Sequence, residues 1–428
     1  MISLAEARQL VLEHADPLPA RVVDVADAVG CVLDQPVVAT EAVPPFVNSA
    51  MDGYAVRAAD TADAPASLAV VGTILAGDAP TLTVGTGQAA RIMTGAPLPA
   101  GADAVCMVER TRPTGDGASV VIEIALRTGD HVRHPGEDIR VGDIVFPAQT
   151  AVTPAHVGVL SSLGIRQVPV HPRPRVAVLS TGDELFGGDG PLPAGKIRDS
   201  NRPALVATLA ADGFEVLDFG VVGDDERAAA EAFAAAAAKC DAVVTSGGVS
   251  VGDRDIVRLV LDQLGGPGTR WMQVAIKPAK PLAVGRFGDT ATPFFGLPGN
   301  PVSALVSYEL FVRPALRAMA GHHRLDRPVL RAVAAEPLER RPDGKLHLLR
   351  ARVSTRPDGQ LQVRTAGGQA SHQLRTMADA NAFALLPDGH GVGTGQPVAV
   401  LLLGAHGIGT VGDDRFGLEP GFGLEPRW

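Results

Sequence analysis

The chain has 428 residues, 46% hydrophobic and 20% charged, which is the composition of a globular protein of about three domains. The formal net charge of −9 argues against a nucleic-acid-binding protein, and no apolar run approaches the length of a membrane span. Three scattered cysteines predict neither a disulfide framework nor a zinc site. Because the amino-terminal stretch lacks the features of a signal peptide, we expect a cytoplasmic protein.

The first 171 residues change character twice. Residues 3–15 have the apolar spacing of an amphipathic helix that ends before Pro17. The pair Pro44-Pro45 then marks a domain border, and short strands between Gly and Pro turns over residues 68–126 predict an inserted β domain. The segment at 140–146 and a helix at 154–163 are expected to pack on the amino-terminal segment, which makes the first domain discontinuous.

The chain from residue 175 onward alternates between strands and helices. We predict strands at 175–180, 214–219, 241–245 and 282–286, and helices at 203–212, 225–239, 255–264 and 301–320. This order predicts right-handed crossovers and a mostly parallel α/β sheet. After Pro328, short segments with Asp-Gly turns predict an all-β tail.

The stretch DAVVTSGGVSVGDRDIV contains the strongest site signal. A buried strand ends in Gly247 and Gly248, and Ser250, Asp253 and Asp255 follow. The strand at 175–180 likewise runs into Asp183 and Glu184. If these strands are neighbours, four carboxylates meet at one sheet edge and predict a magnesium site. Each stretch alone is equally compatible with a turn or a helix N-cap.

Two lysines form a second candidate site. Lys277 and Lys280 lie on a Pro-interrupted segment, and the helix predicted from Pro301 carries Ser303 in its first turn. Lysines near a helix N-terminus are a reasonable receptor for an oxyanion, although solvated lysines on a surface loop are the alternative. Around another predicted helix start, Lys196, Arg198 and Arg202 add positive charge.

Eight stretches, in order, give the chain a family resemblance. The sequence resembles the MoeA-like molybdopterin molybdenumtransferases, which are related to the E domains of a plant homologue and of gephyrin. The stretches are NSAMDGYAVR at 48–57, IMTGAPLPAGADAV at 92–105, GEDI at 136–139, STGDEL at 180–185, DSN at 199–201, SGGVSVGDRD at 246–255, IKPAKP at 276–281 and LPGNPVS at 297–303.

The resemblance implies a multidomain architecture. It comprises a discontinuous linking domain (1–46 and 140–171), an inserted β domain (47–139), an α/β domain with the molybdopterin adenylyltransferase fold (172–323) and a carboxy-terminal β-barrel (324–428). It also implies a homodimer with active sites between subunits, and transient contact with a molybdopterin adenylyltransferase.

The implied reaction inserts molybdate into adenylylated molybdopterin, with Mg²⁺-dependent release of AMP. Matching of motifs assigns the cleavage of the adenylate to Glu184, Asp224, Ser250 and Asp255, with Asp183 and Asp253 as further candidate metal ligands. It assigns Asp52, Thr94 and Asp138, which alone read as turn residues, to the site of the other subunit. The implied molybdate pocket contains Lys277, Lys280, Ser303, Arg350 and Ser371, with Pro298 and Pro301 shaping its loop beside Gly247 and Gly248.

Two positions depart from the family pattern. Ala279 stands where family members often have Gly, and Arg198 replaces a common aromatic residue. Two other functions remain open at this point: the related adenylyltransferase step, and a non-catalytic scaffold or carrier of the same fold. The sequence does not distinguish molybdate from tungstate as the substrate.

Overall fold

A computed structural model describes residues 1–79, 81–114, 117–249, 256–404 and 409–410. The chain forms two compact units. The larger unit contains Met1–Arg21, Gly30–Val32 and the described residues from His171 onward. The β-rich unit contains Val22–Val29 and Leu33–Val170. Among the described residues, no helix has the length and apolar character needed to cross a membrane. The four-domain boundaries stay a prediction.

The first helix, α1 (Leu4–Leu12), begins at an N-cap that the sequence provides. The Ser3 hydroxyl accepts a hydrogen bond from the backbone N–H of Glu6 at 3.1 Å. The buried face of α1 consists of Ala7 and Val11 and packs into the core of the larger unit. The amphipathic helix predicted at 3–15 is therefore present, but it is shorter.

The β-rich unit consists of short strands and one helix, as its Gly- and Pro-rich sequence predicts. Its main sheet has six strands in the order β8-β5-β7-β6-β10-β9. The helix α2 (Pro154–Ser162) begins with a capping box in which the Thr153 hydroxyl accepts from the backbone N–H of His156. The strands are β1 (Arg21–Asp24), β2 (Val32–Leu33), β3 (Val37–Val38), β4 (Asn48–Ser49), β5 (Gly53–Val56), β6 (Ala66–Ile74), β7 (Gln88–Ile92), β8 (Ala104–Met107), β9 (Thr111–Thr114), β10 (Ser119–Ile122), β11 (Val132–Arg133), β12 (Ile144–Phe146) and β13 (Gln167–His171).

The smaller sheets of this region join segments that are distant in sequence. They have the orders β1-β13-β2, β11-β4 and β12-β3. The pairing of Ile144 with Val38 places the segment after the inserted strands against the amino-terminal segment, as the sequence predicts.

The α/β part of the other unit has one six-stranded sheet in the order β17-β14-β18-β22-β21-β19. The first four strands in this order are parallel, and β21 and β19 extend the sheet antiparallel. Its elements are β14 (Arg175–Thr181), β15 (Leu185–Phe186), β16 (Ile197–Arg198), α3 (Asn201–Ala211), β17 (Glu215–Val222), α4 (Glu226–Lys239), β18 (Ala242–Ser246), α5 (Ile256–Leu264), β19 (Arg270–Gln273), β20 (Ile276–Lys277), β21 (Pro281–Arg286) and β22 (Pro293–Leu297).

Both faces of this sheet are covered, which explains its continuous apolar strands. Val176 and Val178 of β14 pack with α1 and α3, whereas Ala177 and Leu179 pack with α4 and α5. Five strands of this part are missing from the sequence prediction, namely β15, β16, β19, β20 and β22. The run of β22 is short and bounded by prolines, so its pattern resembles a loop, although all five of its residues are buried.

The helix predicted at 301–320 is present as α6 (Pro301–Ser307), a π-helical turn (Tyr308–Val312) and α7 (Arg313–Met319). Pro314 has no N–H to donate to the carbonyl of Leu310, four residues earlier. The guanidinium of Arg8, on α1, donates to that carbonyl at 2.8 Å instead. The irregular turn thus follows from one proline and is stabilised by the first helix.

The carboxy-terminal region is a closed five-stranded barrel. Its strands follow one another around the ring as β25, β26, β23, β29 and β27, and β27 pairs back to β25. Two short strands, β20 and β30, also pair with β25. The elements are β23 (Val329–Ala334), β24 (Leu338–Glu339), β25 (Leu346–Thr355), β26 (Leu361–Thr365), α8 (Arg375–Asp379), β27 (Ala382–Leu386), β28 (Gly391–Val392), β29 (Pro397–Leu402) and β30 (Gly409–Thr410).

Candidate active site

Two strand ends meet at one edge of the α/β sheet, as the sequence predicts. β14 and β18 are parallel neighbours, with Ser180 opposite Ser246. Asp183 and Glu184 follow β14, and the glycine pair follows β18. We call this region the acidic edge. Ser250, Asp253 and Asp255 lie outside the described residues.

Asp183 and Asp224 are held together by reciprocal hydrogen bonds. The backbone N–H of Asp224 donates to Asp183 Oδ1 at 3.0 Å, and the N–H of Asp183 donates to Asp224 Oδ2 at 3.4 Å. They meet because β17 and β14 are neighbouring parallel strands. Each backbone N–H offsets part of the repulsion between the two carboxylates.

Glu184 lies over the turn that follows β14. A Cβ atom built on Gly182 would come within 2.3 Å of Glu184 Oε2 and would displace this carboxylate, and the φ of 137° at Gly182 also favours glycine. The described residues contain no group of three or more acidic, His or Cys side chains placed to hold a metal ion. Asp183, Glu184 and Asp224 therefore supply neighbouring carboxylates without forming a complete cage by themselves.

The glycine pair has the backbone conformation that its sequence predicts. Gly247 and Gly248 have φ values of 92° and 67°. A Cβ on Gly247 would approach the carbonyl oxygen of Thr181 to 2.7 Å, and the N–H of Gly247 donates to the carbonyl of Leu297. The pair thus brings the ends of β14, β18 and β22 into contact.

Three buried polar atoms at this edge have no hydrogen-bond partner within the described part of the chain. They are the hydroxyls of Thr181 and Thr245 and the Oδ1 of Asn201. The Nδ2 of Asn201 donates at 2.7 Å to both Ser246 Oγ and the carbonyl of Gly299. Since buried polar groups are normally paired, these three unpaired atoms are an unusual feature of this edge.

A cavity of about 490 Å³ brings together five residues that the resemblance assigns to molybdate. We call it the basic pocket. Neither lysine ammonium group forms a hydrogen bond or an ion pair with any residue that the structure describes, so two cations are available to an anion. The five residues are Lys277, Lys280, Pro298, Ser303 and Ser371.

The start of α6 lines the basic pocket together with the lysines. Pro301 occupies the first turn of this helix, and Ser303 is buried two residues later. The N–H of Val302 donates to the carbonyl of Ser371 at 3.1 Å. This hydrogen bond fixes the 367–371 loop of the barrel region to the helix of the α/β part.

Ala279 separates the two lysines in a left-handed conformation. Its φ is 75°, and only 3% of its surface is exposed. This conformation is strained for any residue with a Cβ atom, and glycine would adopt it without that strain. The backbone reversal leaves Lys277 and Lys280 on the same cavity.

Arg350 does not line the basic pocket but lies behind it, fully buried. Its guanidinium donates to the carbonyls of Gly368 and Ala370 and to the hydroxyl of Thr376. Burial lowers the pKa of this guanidinium. Its Nη1 has no hydrogen-bond partner among the described residues, so the assignment of Arg350 to the molybdate pocket stays a prediction.

Sequence reasoning missed Gln369, which lines the pocket. Its Oε1 accepts from the N–H of Arg350 at 2.9 Å, and its Nε2 donates to the carbonyls of Arg350 and Gly367. These hydrogen bonds attach the 367–371 loop to β25. Nothing in the run GGQAS indicates this role, because its partner is 19 residues away.

The positive residues around α3 are bound to other protein groups. Arg202 forms ion pairs with Asp199 and Asp218, and Arg198 donates to two backbone carbonyls. Lys196 donates to the carbonyl of Asp183. These cations therefore order the acidic edge and are not free to receive an anion.

Asp52 and Thr94 form a pair in the β-rich unit. The backbone N–H and the hydroxyl of Thr94 donate to Asp52 Oδ1 at 2.7 and 2.8 Å. The two hydrogen bonds, the backbone one foremost, hold the pKa of the Asp52 carboxyl below its usual range. Asp138 is exposed on a turn of the same unit, where its N–H donates to the carbonyl of Val43.

Comparison with known families gives three matches in chain order. The matched descriptions are "MoeA N-terminal region (domain I and II)" over residues 2–164, "Probable molybdopterin binding domain" over 177–318 and "MoeA C-terminal region (domain IV)" over 331–403.

Curated relatives and a solved structure match over most of this chain. A molybdopterin molybdenumtransferase of Nostoc sp. is 40% identical over 397 residues, which cover 89% of this chain and 88% of that protein. Molybdopterin molybdenumtransferase 2 of Mycobacterium tuberculosis is 40% identical over 396 residues, covering 91% and 96%. The crystal structure of a molybdopterin biosynthesis MoeA protein from Pyrococcus horikoshii is 28% identical, with a TM-score of 0.75 over 94% of this chain and 100% of that one.

Proposed function

This chain belongs to the MoeA family, and from that membership we propose that it is a molybdopterin molybdenumtransferase. In this reaction molybdate enters the dithiolene of adenylylated molybdopterin, and AMP is released. One observation carries the proposal: two lysines without protein partners among the described residues share a cavity with Ser303 and Ser371. Such a cavity suits a dianionic oxyanion, even though the whole chain is acidic.

The acidic edge lies beside this pocket and suits the cleavage of the adenylate. A Cβ on Gly299 would lie 3.8 Å from Gly247, and Gly299 stands between two residues that line the pocket, Pro298 and Asn300. A phosphoanhydride bound at the glycine pair would thus be adjacent to an oxyanion bound at the lysines. The unpaired hydroxyls of Thr181 and Thr245 and the Oδ1 of Asn201 would bind the polar groups of the adenylate.

The carboxylates at this edge fit Mg²⁺ by their chemistry, since hard cations prefer carboxylate oxygens. Glu184 and Asp183 would hold the ion beside Asp224, and the proposal adds Asp253 and Asp255, which lie outside the described residues. When bound, Mg²⁺ would stabilise the negative charge that develops on the leaving AMP. The described residues position the substrate: the glycine pair admits its phosphates, and the lysines hold the oxyanion.

We further propose a homodimer in which Asp52, Thr94 and Asp138 of one subunit complete the site of the other. Val38, Val141 and Ile144 of the β-rich unit are 47%, 66% and 65% exposed, and such apolar exposure is typical of a surface that another subunit covers. Light scattering of the purified chain should give twice the mass of one subunit. A monomer at micromolar concentration would contradict this part of the proposal.

Two other expectations belong with this proposal. A transient contact with a molybdopterin adenylyltransferase would deliver the unstable adenylylated substrate, and the reaction would take place in the cytoplasm. A non-catalytic scaffold is not favoured, because the curated relatives are named as transferases.

The experiment for the proposal measures the product. Purified protein is incubated with adenylylated molybdopterin, Mg²⁺ and molybdate, and the pterin fraction is analysed for molybdenum by mass spectrometry. We expect about one molybdenum per pterin. Pterin without molybdenum, at saturating molybdate, would contradict the proposed activity.

A further inference from the structure

A second cavity, of about 540 Å³, lies against the basic pocket. The two cavities share Lys277, Pro278, Gln369 and Ala370. The second cavity has no lining residue in common with the acidic edge. We call it the barrel cavity, because its other lining residues come from the barrel region. Its volume is in the range of about 300–1,000 Å³ that is typical of sites for small organic ligands.

Half of the titratable side chains of the barrel cavity are already bound to protein groups. The buried guanidinium of Arg340 donates to four carbonyls and to the carboxylates of Asp343 and Asp388. His347 Nε2 lies 3.1 Å from both oxygens of Asp343. These side chains are therefore bound within the protein, although the buried Nε of Arg340 has no hydrogen-bond partner among the described residues.

Three charged groups remain available to a ligand. Glu339 and Arg341 make no side-chain hydrogen bond or ion pair with the residues that the structure describes, and both line the cavity beside Lys277. The buried side chain of Leu349 supplies apolar surface, whereas Leu348, its neighbour on β25, points to the opposite face of the strand. A ligand of this cavity therefore needs a flat apolar body, donors for a carboxylate and acceptors for a guanidinium.

The order of the three regions is the order of the groups along the proposed substrate. The acidic edge adjoins the basic pocket through Gly299, and the basic pocket adjoins the barrel cavity through Lys277. Adenylylated molybdopterin carries its phosphoanhydride at one end, its dithiolene in the middle and its pterin at the other end. With molybdate at the lysines and the adenylate at the glycine pair, the pterin end reaches the barrel cavity.

We infer that the barrel cavity binds the pterin ring system of the substrate, with Glu339 accepting hydrogen bonds from its 2-amino group and N3–H. A carboxylate accepts these two parallel donors in the bidentate arrangement that it uses with arginine. Arg341 donates to the acceptors on the opposite side of the ring, and Leu349 contacts its apolar face. This inference rests on the proposed function, because it assigns a part of the same substrate.

The test compares two probes that lack both dithiolene and adenylate. 6-Hydroxymethylpterin has the 2-amino donor, whereas 6-hydroxymethyllumazine has an oxygen there that would repel Glu339. Titration of the full chain, followed by ligand fluorescence, should show pterin binding about 10-fold or more tighter than lumazine binding, since hydrogen bonds to a charged group are strong. In Glu339→Gln this preference should fall to about 3-fold or less.

Two control variants separate this inference from others. Asp379→Asn removes an exposed carboxylate of the same region and should keep the preference for pterin. Lys280→Ala, in the basic pocket alone, should keep pterin binding while it weakens molybdate binding. Glu339→Gln should show the opposite split, with molybdate binding unchanged.

Two outcomes would overturn the inference. One is that the wild-type chain binds neither probe in a saturable way, and the other is that Glu339→Gln discriminates between them as the wild type does. Either result leaves the proposed function standing if the wild-type chain still loads molybdenum onto the adenylylated substrate. A wild-type chain that binds the pterin but loads no molybdenum contradicts the proposed function alone.

Discussion

The acidic edge and the basic pocket lie in the same unit but are built in different ways. At the acidic edge, each carboxylate follows a strand of one sheet, and neighbouring backbone N–H groups hold Asp183 and Asp224. The basic pocket combines a strained turn, a helix start and a loop of the barrel region. The acidic edge thus depends on local sequence and strand order, whereas the basic pocket depends on tertiary contacts such as the hydrogen bond between Gln369 and β25.

The largest effect should come from breaking the acidic edge while the pocket stays intact. Glu184→Gln removes a carboxylate charge where Mg²⁺ is proposed to bind, and we expect AMP release to slow by about 10³-fold. Molybdate binding, measured by calorimetry, should be unchanged. Glu231→Gln, on the exposed face of α4, is the control. Normal turnover of Glu184→Gln would remove this residue from the mechanism.

The converse change breaks the basic pocket alone. Lys277→Ala removes a cation without a protein partner in the described structure, and molybdate affinity should fall by about 10- to 100-fold because a charged hydrogen bond is lost. Calorimetry with molybdate measures this effect. The exposed Lys239→Ala should bind molybdate normally. Equal affinity in all three proteins would mean that the oxyanion binds elsewhere.

A smaller effect is expected from a residue that only positions the pocket. Gln369→Ala removes the hydrogen bonds that attach the 367–371 loop to β25, so KM for molybdate should rise about 3- to 10-fold while kcat changes less. Gln9→Ala, on the exposed side of α1, is the matched control. A fall in kcat with constant KM would indicate instead that Gln369 contacts the reacting groups.

In the β-rich unit, as at the acidic edge, a backbone N–H group holds a carboxylate, and the pH dependence of stability tests this arrangement. Thr94→Val removes one of two hydrogen bonds to Asp52, so the pKa of that carboxyl should rise toward its usual range. A lowered folded-state pKa adds stability above the unfolded value of about 3.9, and this stability is lost as pH falls through the folded value. The variant should lose less stability on acidification.

Nuclear magnetic resonance of the Asp52 side chain measures that shift. Thr81→Val, at an exposed position of the same unit, should leave the Asp52 titration unchanged. An unchanged titration in Thr94→Val as well would mean that the hydroxyl does not bind Asp52 in solution.

The smallest effect is expected at the strained turn between the lysines. Ala279→Gly relieves the positive φ but loses a buried methyl group and gains unfolded-state entropy, so the free energy of unfolding should change by less than about 1 kcal/mol. Ala236→Gly, buried within the regular helix α4, should cost about 1–2 kcal/mol. Thermal unfolding compares the two. Equal losses would show that Ala279 is unstrained.

The sequence predicted the acidic edge better than the basic pocket, and the reason is physical. Alternating strands and helices determine that β14 and β18 are parallel, which brings their carboxyl ends together without further information. The contributions of Ser371 and Gln369 depend on hydrogen bonds to α6 and to β25, and no local sequence pattern indicates either contact. Strand β22 was missed because burial on both faces gives a short apolar run without alternation.

Arg350 shows what a motif leaves open. The resemblance assigns it to the molybdate pocket, and in the structure its buried guanidinium donates to the pocket loop while its Nη1 has no partner among the described residues. Its assignment to molybdate therefore stays a prediction, because a motif does not distinguish a residue that contacts the substrate from one that holds such a residue in place.

The most direct test of the central claim is the dependence of AMP release on molybdate. Purified protein is mixed with adenylylated molybdopterin and Mg²⁺, and AMP is followed by chromatography with and without molybdate. If the basic pocket and the acidic edge act on one substrate, molybdate should accelerate AMP release, and Lys277→Ala should remove the acceleration. AMP release at the same rate with and without molybdate, or no release at all, would contradict the account.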